Sequence, residues 1–88
     1  MKIANNISWK KLQDKVVAVN LTTGTYYTMN AVASDIWKLL AEGRSTAEIA
    51  DALVADYEAD AATILADVES QLAYWKNEEA IQFFPSTN

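Results

Sequence analysis

The chain has no cysteine and no histidine among its 88 residues. The first absence excludes disulfides and thiolate metal sites. The second removes the commonest general base and the commonest metal ligand together. Only two glycines and one proline occur, so there is neither a glycine-rich phosphate loop nor a flexible linker. No apolar run approaches the ~20 residues that cross a bilayer. Met1 to Asn6 lacks the long apolar stretch of a secretory signal. These absences predict a soluble, cytoplasmic protein that is not an enzyme and needs no cofactor or metal. With half its residues hydrophobic, the chain reads as one domain over 1–88, with 1–6 and 85–88 frayed.

Charge is unevenly spread. Residues 1–34 carry Lys2, Lys10, Lys11 and Lys15 against Asp14, a balance of +3. Residues 35–88 carry Lys38, Arg44 and Lys76 against eleven acids, a balance of −8. An uneven solvated surface accounts for this, and so does a basic front end that steers an acidic partner segment.

Three strand patterns come first. Ile7, Trp9 and Lys11 alternate along Ile7–Leu12, and Val17, Val19 and Leu21 share one face of Val16–Leu21. Thr22-Thr23-Gly24 is a turn, and Thr25–Met29 is a third strand with Tyr27 and Met29 on one face. Short connections require an antiparallel meander, with the third strand at an edge. Three helices follow. Asn30 caps the first, whose stripe is Ala33, Ile36, Trp37 and Leu40, and Gly43 stops it. Ser45 and Glu48 form a capping box for the second, which ends near Tyr57. Asp60 caps the third, with a stripe of Ile64, Leu65, Val68, Leu72 and Trp75. Beyond Asn77, Ala80–Phe84 reads as extended. Strands followed by helices define an α+β domain of segregated layers.

Chemical sites fit poorly. Asp56, Glu58 and Asp60 alternate like calcium-loop ligands, but Ala61 stands where the loop's glycine belongs. Ser34 has no base to activate it. The last two helices have helix-turn-helix spacing, yet the third carries five acids against Lys76 between Asp60 and Glu79, a charge that phosphate repels. Trp37, Tyr27 and Tyr57 read as core, while Tyr26, Tyr74 and Trp75 lie at the margins of their stripes. What remains is the third strand, an edge whose free N–H and C=O groups can pair with another peptide.

The ordered set Thr23–Asn30, Ile36–Leu40 and Gly43–Ala50, with Leu53, Tyr57, Asp67-Val68 and Leu72, resembles the PqqD-like family over about residues 7–82. These are recognition elements for ribosomally synthesised, post-translationally modified peptides. The resemblance implies a winged helix-turn-helix-like fold of three strands and three helices. It also implies a non-enzymatic role: binding the leader segment of a precursor peptide and presenting it to a modifying enzyme. In such domains the leader adds to the third strand and lies against the third helix. Members serving pyrroloquinoline quinone assembly usually carry Pro-Glu before the third strand, where Thr22-Thr23-Gly24 stands, and the family's usual glycine after the third helix is replaced by Glu78-Glu79-Ala80. The chain therefore fits another peptide pathway, of radical SAM or lasso type.

The resulting expectation is leader binding through Thr25, Tyr26, Tyr27, Thr28 and Met29 of the strand and Leu65, Leu72, Trp75 and Lys76 of the helix. Lys10, Lys11 and Lys15 would steer the leader or contact the enzyme, with the chain a monomer or homodimer and no nucleic acid or membrane bound. The alternatives are an acidic winged-helix transcription regulator and a structural protein–protein adaptor.

Overall fold

The computed structural model describes residues 1–82. The elements in chain order are β1 (Lys2–Ile3), β2 (Ile7–Leu12), β3 (Lys15–Asn20), β4 (Tyr26–Thr28), α1 (Ala31–Ala41), α2 (Thr46–Tyr57), α3 (Ala61–Asn77) and β5 (Ile81–Gln82). Strands β2, β3 and β4 form the expected antiparallel meander, in the order β2-β3-β4. Ala18 lies between Trp9 and Tyr27 in register, and Val17 between Lys10 and Thr28. The fold is α+β, as the pattern of strands and then helices predicts.

Residues 1–6 were expected to fray, and most of them do not. Lys2 pairs with Gln82 and Ile3 with Ile81, and the Ala4 amide donates to the Ala80 carbonyl at 2.9 Å. Ala4, Ala80 and Ile81 are buried, so apolar residues at both ends of the described chain close the core together. Phe83, Phe84 and the expected frayed tail 85–88 lie outside the described residues.

Strand β3 is apolar on both faces, so its own pattern cannot choose an inside. Val17, Val19 and Leu21 do share a face, but Val16, Ala18 and Asn20 are the buried set. Register decides it, because Ala18 stands beside Tyr27, which the core needs. Asn20 organises the turn into β4. Its Oδ1 accepts from the amides of Thr22 (2.9 Å) and Thr23 (3.1 Å) and from Asn6 Nδ2 (3.1 Å). Its carbonyl accepts from the Gly24 amide at 2.7 Å, while Gly24 takes a φ of +79° that side chains rarely adopt.

Helix ends follow their sequence signals. Asn30 Oδ1 caps the Ala33 amide at 2.8 Å, and Gly43 leaves α1 at a φ of +87°. Ser45 and Glu48 complete a capping box, at 3.2 Å and 2.9 Å. These bonds hold the Glu48 carboxyl below its usual value. Asp60 Oδ2 caps the Thr63 amide at 3.0 Å, a structural use for one of the supposed calcium ligands.

Trp37 forms the centre of the core. It meets Trp75 edge to face at 5.0 Å and 83°, and Trp9 at 6.2 Å and 78°. The α3 stripe that is buried is Ile64, Val68, Leu72 and Trp75. Leu65, one residue round from Ile64, is 39% exposed and leaves the predicted stripe. Tyr57 also departs from the predicted core. It lies at the surface, and its hydroxyl donates to Asp35 Oδ2 at 2.6 Å, tying α2 to α1. Lys38 pairs with the same carboxylate at 3.1 Å. That hydrogen bond, reinforced by burial, pushes the Tyr57 phenol up to about 12. Among the described residues, no helix is long and apolar enough to cross a membrane.

Candidate functional site

The site begins with the direction of backbone groups along β4. Residues that bond to a neighbouring strand alternate in an antiparallel ladder. The Met29 amide donates to Val16 at 3.1 Å, and the Thr25 carbonyl accepts from Asn20 at 2.8 Å. Thr25, Tyr27 and Met29 therefore face β3. Tyr26 and Thr28 aim their N–H and C=O groups away from it, at the edge of the sheet. Among the described residues no strand pairs there, and β5 is committed to β1.

A buried serine secures the end of this edge. The Ser34 hydroxyl accepts from the Val16 amide at 2.8 Å and donates to the Met29 carbonyl at 3.3 Å. It stands in for a missing rung between β3 and β4 and so ties the end of the strand to the start of α1. Ser34 has a structural duty and is fully buried.

Helix α3 walls the edge. Tyr26, Tyr27, Thr28, Met29 and Asn30, with Ala33 of α1, face Gln71, Tyr74 and Trp75 of α3 across a cavity of about 340 Å³. A second cavity of about 410 Å³ continues it between α1 and α3, reaching Val32, Ile36, Asp67 and Ser70. Asn30, Ala33, Gln71 and Tyr74 line both, so the two form one cleft. Tyr27, which lines the cleft, donates its hydroxyl to Glu78 Oε1 at 3.3 Å. Burial, and then the Glu78 carboxylate, hold the Tyr27 phenol above its usual value. An extended chain added to β4 would lie ~4.8 Å beyond it, with alternate side chains turned into this cleft.

The predicted site residues divide. Tyr26, Tyr27, Thr28, Met29 and Trp75 line the cleft, and Thr25 precedes it on the β3-facing side. Tyr26 is 76% exposed, whereas Trp75 is buried and contributes only a wall. Leu65, Leu72 and Lys76 do not line this cleft. Leu72 and Lys76 line a different cavity with Thr46, Glu69 and Ala73, on the α2 side of α3. Leu65 is simply exposed. The division has a physical cause: the apolar stripe of α3 is used up in the core, and the neighbouring stripe faces the cleft. That stripe is Asp67, Gln71 and Tyr74, spaced i, i+4, i+7, and its polarity hid it from a search for apolar contacts. Asn30 and Ala33 were missed because capping and core packing already explained them.

Lys10, Lys11 and Lys15 lie on the β2–β3 hairpin, away from α3. Lys10 points to the outer face of the sheet, in register with Val17 and Thr28. Lys15 shares a shallow cavity with Leu12, Val17 and Thr28 on that face.

Sheet, helices and cleft together define an α+β domain with an open strand edge framed by its last long helix. The model of one family, described as coenzyme PQQ synthesis protein D (PqqD), matches residues 15–81, and the chain belongs to that family. It is similar to TbiB1, solved in complex with the TbiA(beta) leader peptide. The two are 37% identical over 98% of this chain and 100% of that one, with a TM-score of 0.91. It also shares its fold with a lasso peptide synthetase B1 complexed with its leader peptide, at 23% identity and a TM-score of 0.81 over 88% of this chain and 91% of that one. No curated protein matches the chain.

Proposed function

We propose that this chain is a non-enzymatic recognition domain for a ribosomally synthesised precursor peptide. It binds the leader by strand addition to β4 and presents the peptide to a modifying enzyme of a lasso-type pathway, in the cytoplasm. One observation carries this reading: the open β4 edge beside the α3 cleft, in a chain 37% identical over its length to one solved with a leader peptide. The fold shared with a lasso peptide synthetase B1 favours the lasso-type pathway over the radical SAM one.

Strand addition fits the physics of the edge. Tyr26 and Thr28 offer four outward backbone groups, and each hydrogen bond contributes a net ~0.5–1.5 kcal/mol. The cleft side chains select among peptides, since backbone bonds alone are indifferent to sequence. With apolar burial in the cleft added to these bonds and the cost of ordering a disordered leader subtracted, the expected net is about −8 to −9 kcal/mol, or micromolar to submicromolar affinity. Lys10, Lys11 and Lys15, which make no ion pair among the described residues, act as an electrostatic approach surface or an enzyme contact. The single domain spans residues 1–88.

The experiment is a titration of the TbiA(beta) leader, the best available surrogate, into isotopically labelled chain. Amides of Tyr26 and Thr28 should shift and become protected from exchange, with side-chain shifts at Tyr74 and Gln71. Shifts confined to the hairpin lysines, or none at millimolar peptide, would rule the mechanism out.

A further inference from the structure

The cleft has a charge that its backbone mechanism does not use. Resting on the leader-binding reading above, we infer that the α1–α3 end of the cleft is a subsite for a basic side chain, Lys or Arg, held by Asp67. The leader this domain prefers is thus an apolar strand carrying one cation at a fixed offset, rather than an acidic segment.

Asp67 sits in the wall formed by Gln71 and Tyr74, opposite the apolar floor of Val32 and Ile36. It makes no ion pair among the described residues. No Lys or Arg lines either part of the cleft. The cation of α1, Lys38, is paired with Asp35, which also accepts from Tyr57 of α2. Lys76 lines the cavity on the α2 side of α3. Glu78, which caps α3 and lines neither part of the cleft, is already engaged by Tyr27. A leader carboxylate at the Asp67 end would therefore face a like charge with nothing to neutralise it. A leader ammonium or guanidinium would rest its aliphatic stem on Val32 and Ile36 and place its charge at Asp67.

For a strand lying alongside α3, the helical rise sets the offset. Asp67 and Glu78 are eleven residues apart along α3 and its cap, about 16 Å at the helical rise. An extended peptide covers that in about five residues. The cation should thus fall about four or five positions from the leader residue opposite Tyr27.

The test pans a phage-displayed random dodecapeptide library against the full chain and against Asp67→Asn, Asp67→Lys, Glu69→Lys and Thr28→Pro. Thermal melting first establishes that each variant is folded. The wild-type pool should enrich Lys or Arg at one position relative to an apolar or aromatic residue. Asp67→Asn should erase that preference and Asp67→Lys reverse it towards Asp or Glu. Glu69→Lys makes the same charge change outside the cleft and should leave the preference in place. A selected peptide with its cation changed to Glu should bind the wild type roughly two- to fivefold more weakly, as for a solvent-exposed ion pair. The inference alone falls if Thr28→Pro abolishes recovery but the Asp67 variants select the same charges as wild type. It falls too if Glu69→Lys reverses the preference as fully as Asp67→Lys, which would mark a general attraction to an acidic protein. If Thr28→Pro recovers the same peptides as wild type, or no pool enriches, strand addition fails and the subsite with it.

Discussion

Strands β2 and β4 are the two outer strands of one sheet, and each turns alternate backbone groups away from β3. On β4 these belong to Tyr26 and Thr28. On β2 they belong to Trp9 and Lys11, because the Leu21 amide donates to the Asn6 carbonyl and sets the opposite phase. As hydrogen-bonding templates the two edges are equivalent. They differ in what flanks them. Edge β2 is the longer and carries Lys10 and Lys11, the charges that natural sheets place on edges to discourage pairing. Edge β4 is three residues long and lies beside a cleft walled by α3. An open edge is therefore only half of a peptide site. The other half is a groove that gives alternate side chains of the added strand somewhere to go.

The sharpest way to break this comparison is proline. Thr28→Pro removes an outward N–H and should weaken leader binding about thirty- to a hundredfold by calorimetry, while the domain remains folded. Lys11→Pro, the matching change on β2, should leave affinity within about twofold. Equal losses in both would make the two edges indistinguishable. Next comes Ser34→Ala, which strands the Val16 amide and the Met29 carbonyl in the core. A cost of about 1–3 kcal/mol in denaturant unfolding is expected, with β4 amides losing exchange protection before those of β2.

The side-chain half of the comparison is smaller. Tyr74→Ala should reduce leader affinity by about 1–2 kcal/mol, whereas Leu65→Ala should do almost nothing, since Leu65 lies outside the cleft. For a leader whose residues outside the cleft-bound strand are acidic, charge reversal of Lys10, Lys11 and Lys15 together should slow association about two- to fivefold at low salt, with little change in dissociation by stopped flow. The smallest effect belongs to a tie remote from both edges. The folded-state pKa of Tyr57 is raised, so the stability it contributes is present below pH 10 and lost as pH rises through about 12. Tyr57→Phe should flatten that alkaline decline without altering leader binding.

Much of the fold was legible because the local signals agree with one another. Asn30, Ser45 with Glu48, and Asp60 each mark a helix start by satisfying amides that the helix leaves free, a requirement no tertiary contact changes. The backbone half of the site was equally readable, since strand order and short turns put Thr25–Met29 at an edge. The side-chain half was not. Sequence periodicity identified the apolar face of α3, but a helix has several faces, and only packing shows which one the core consumes. Trp75 went to Trp37, which left Gln71 and Tyr74 to face β4 and Asp67 to face α1. The first residues of the chain were misread for a similar reason. Lys2–Ile3 is too short to announce itself as a strand, and its partner, Ile81–Gln82, lies almost the whole chain away.

Sequence by itself determined the class of this protein: three strands in a meander, three capped helices, a composition without cysteine or histidine, and the family's ordered motifs. These depend on interactions within a few residues, or on composition. Tertiary structure decided which face of β3 is inside, which stripe of α3 meets the peptide edge, and where the lysines stand relative to it. Those choices rest on contacts between residues far apart in the chain, and local periodicity is the same whichever way they fall.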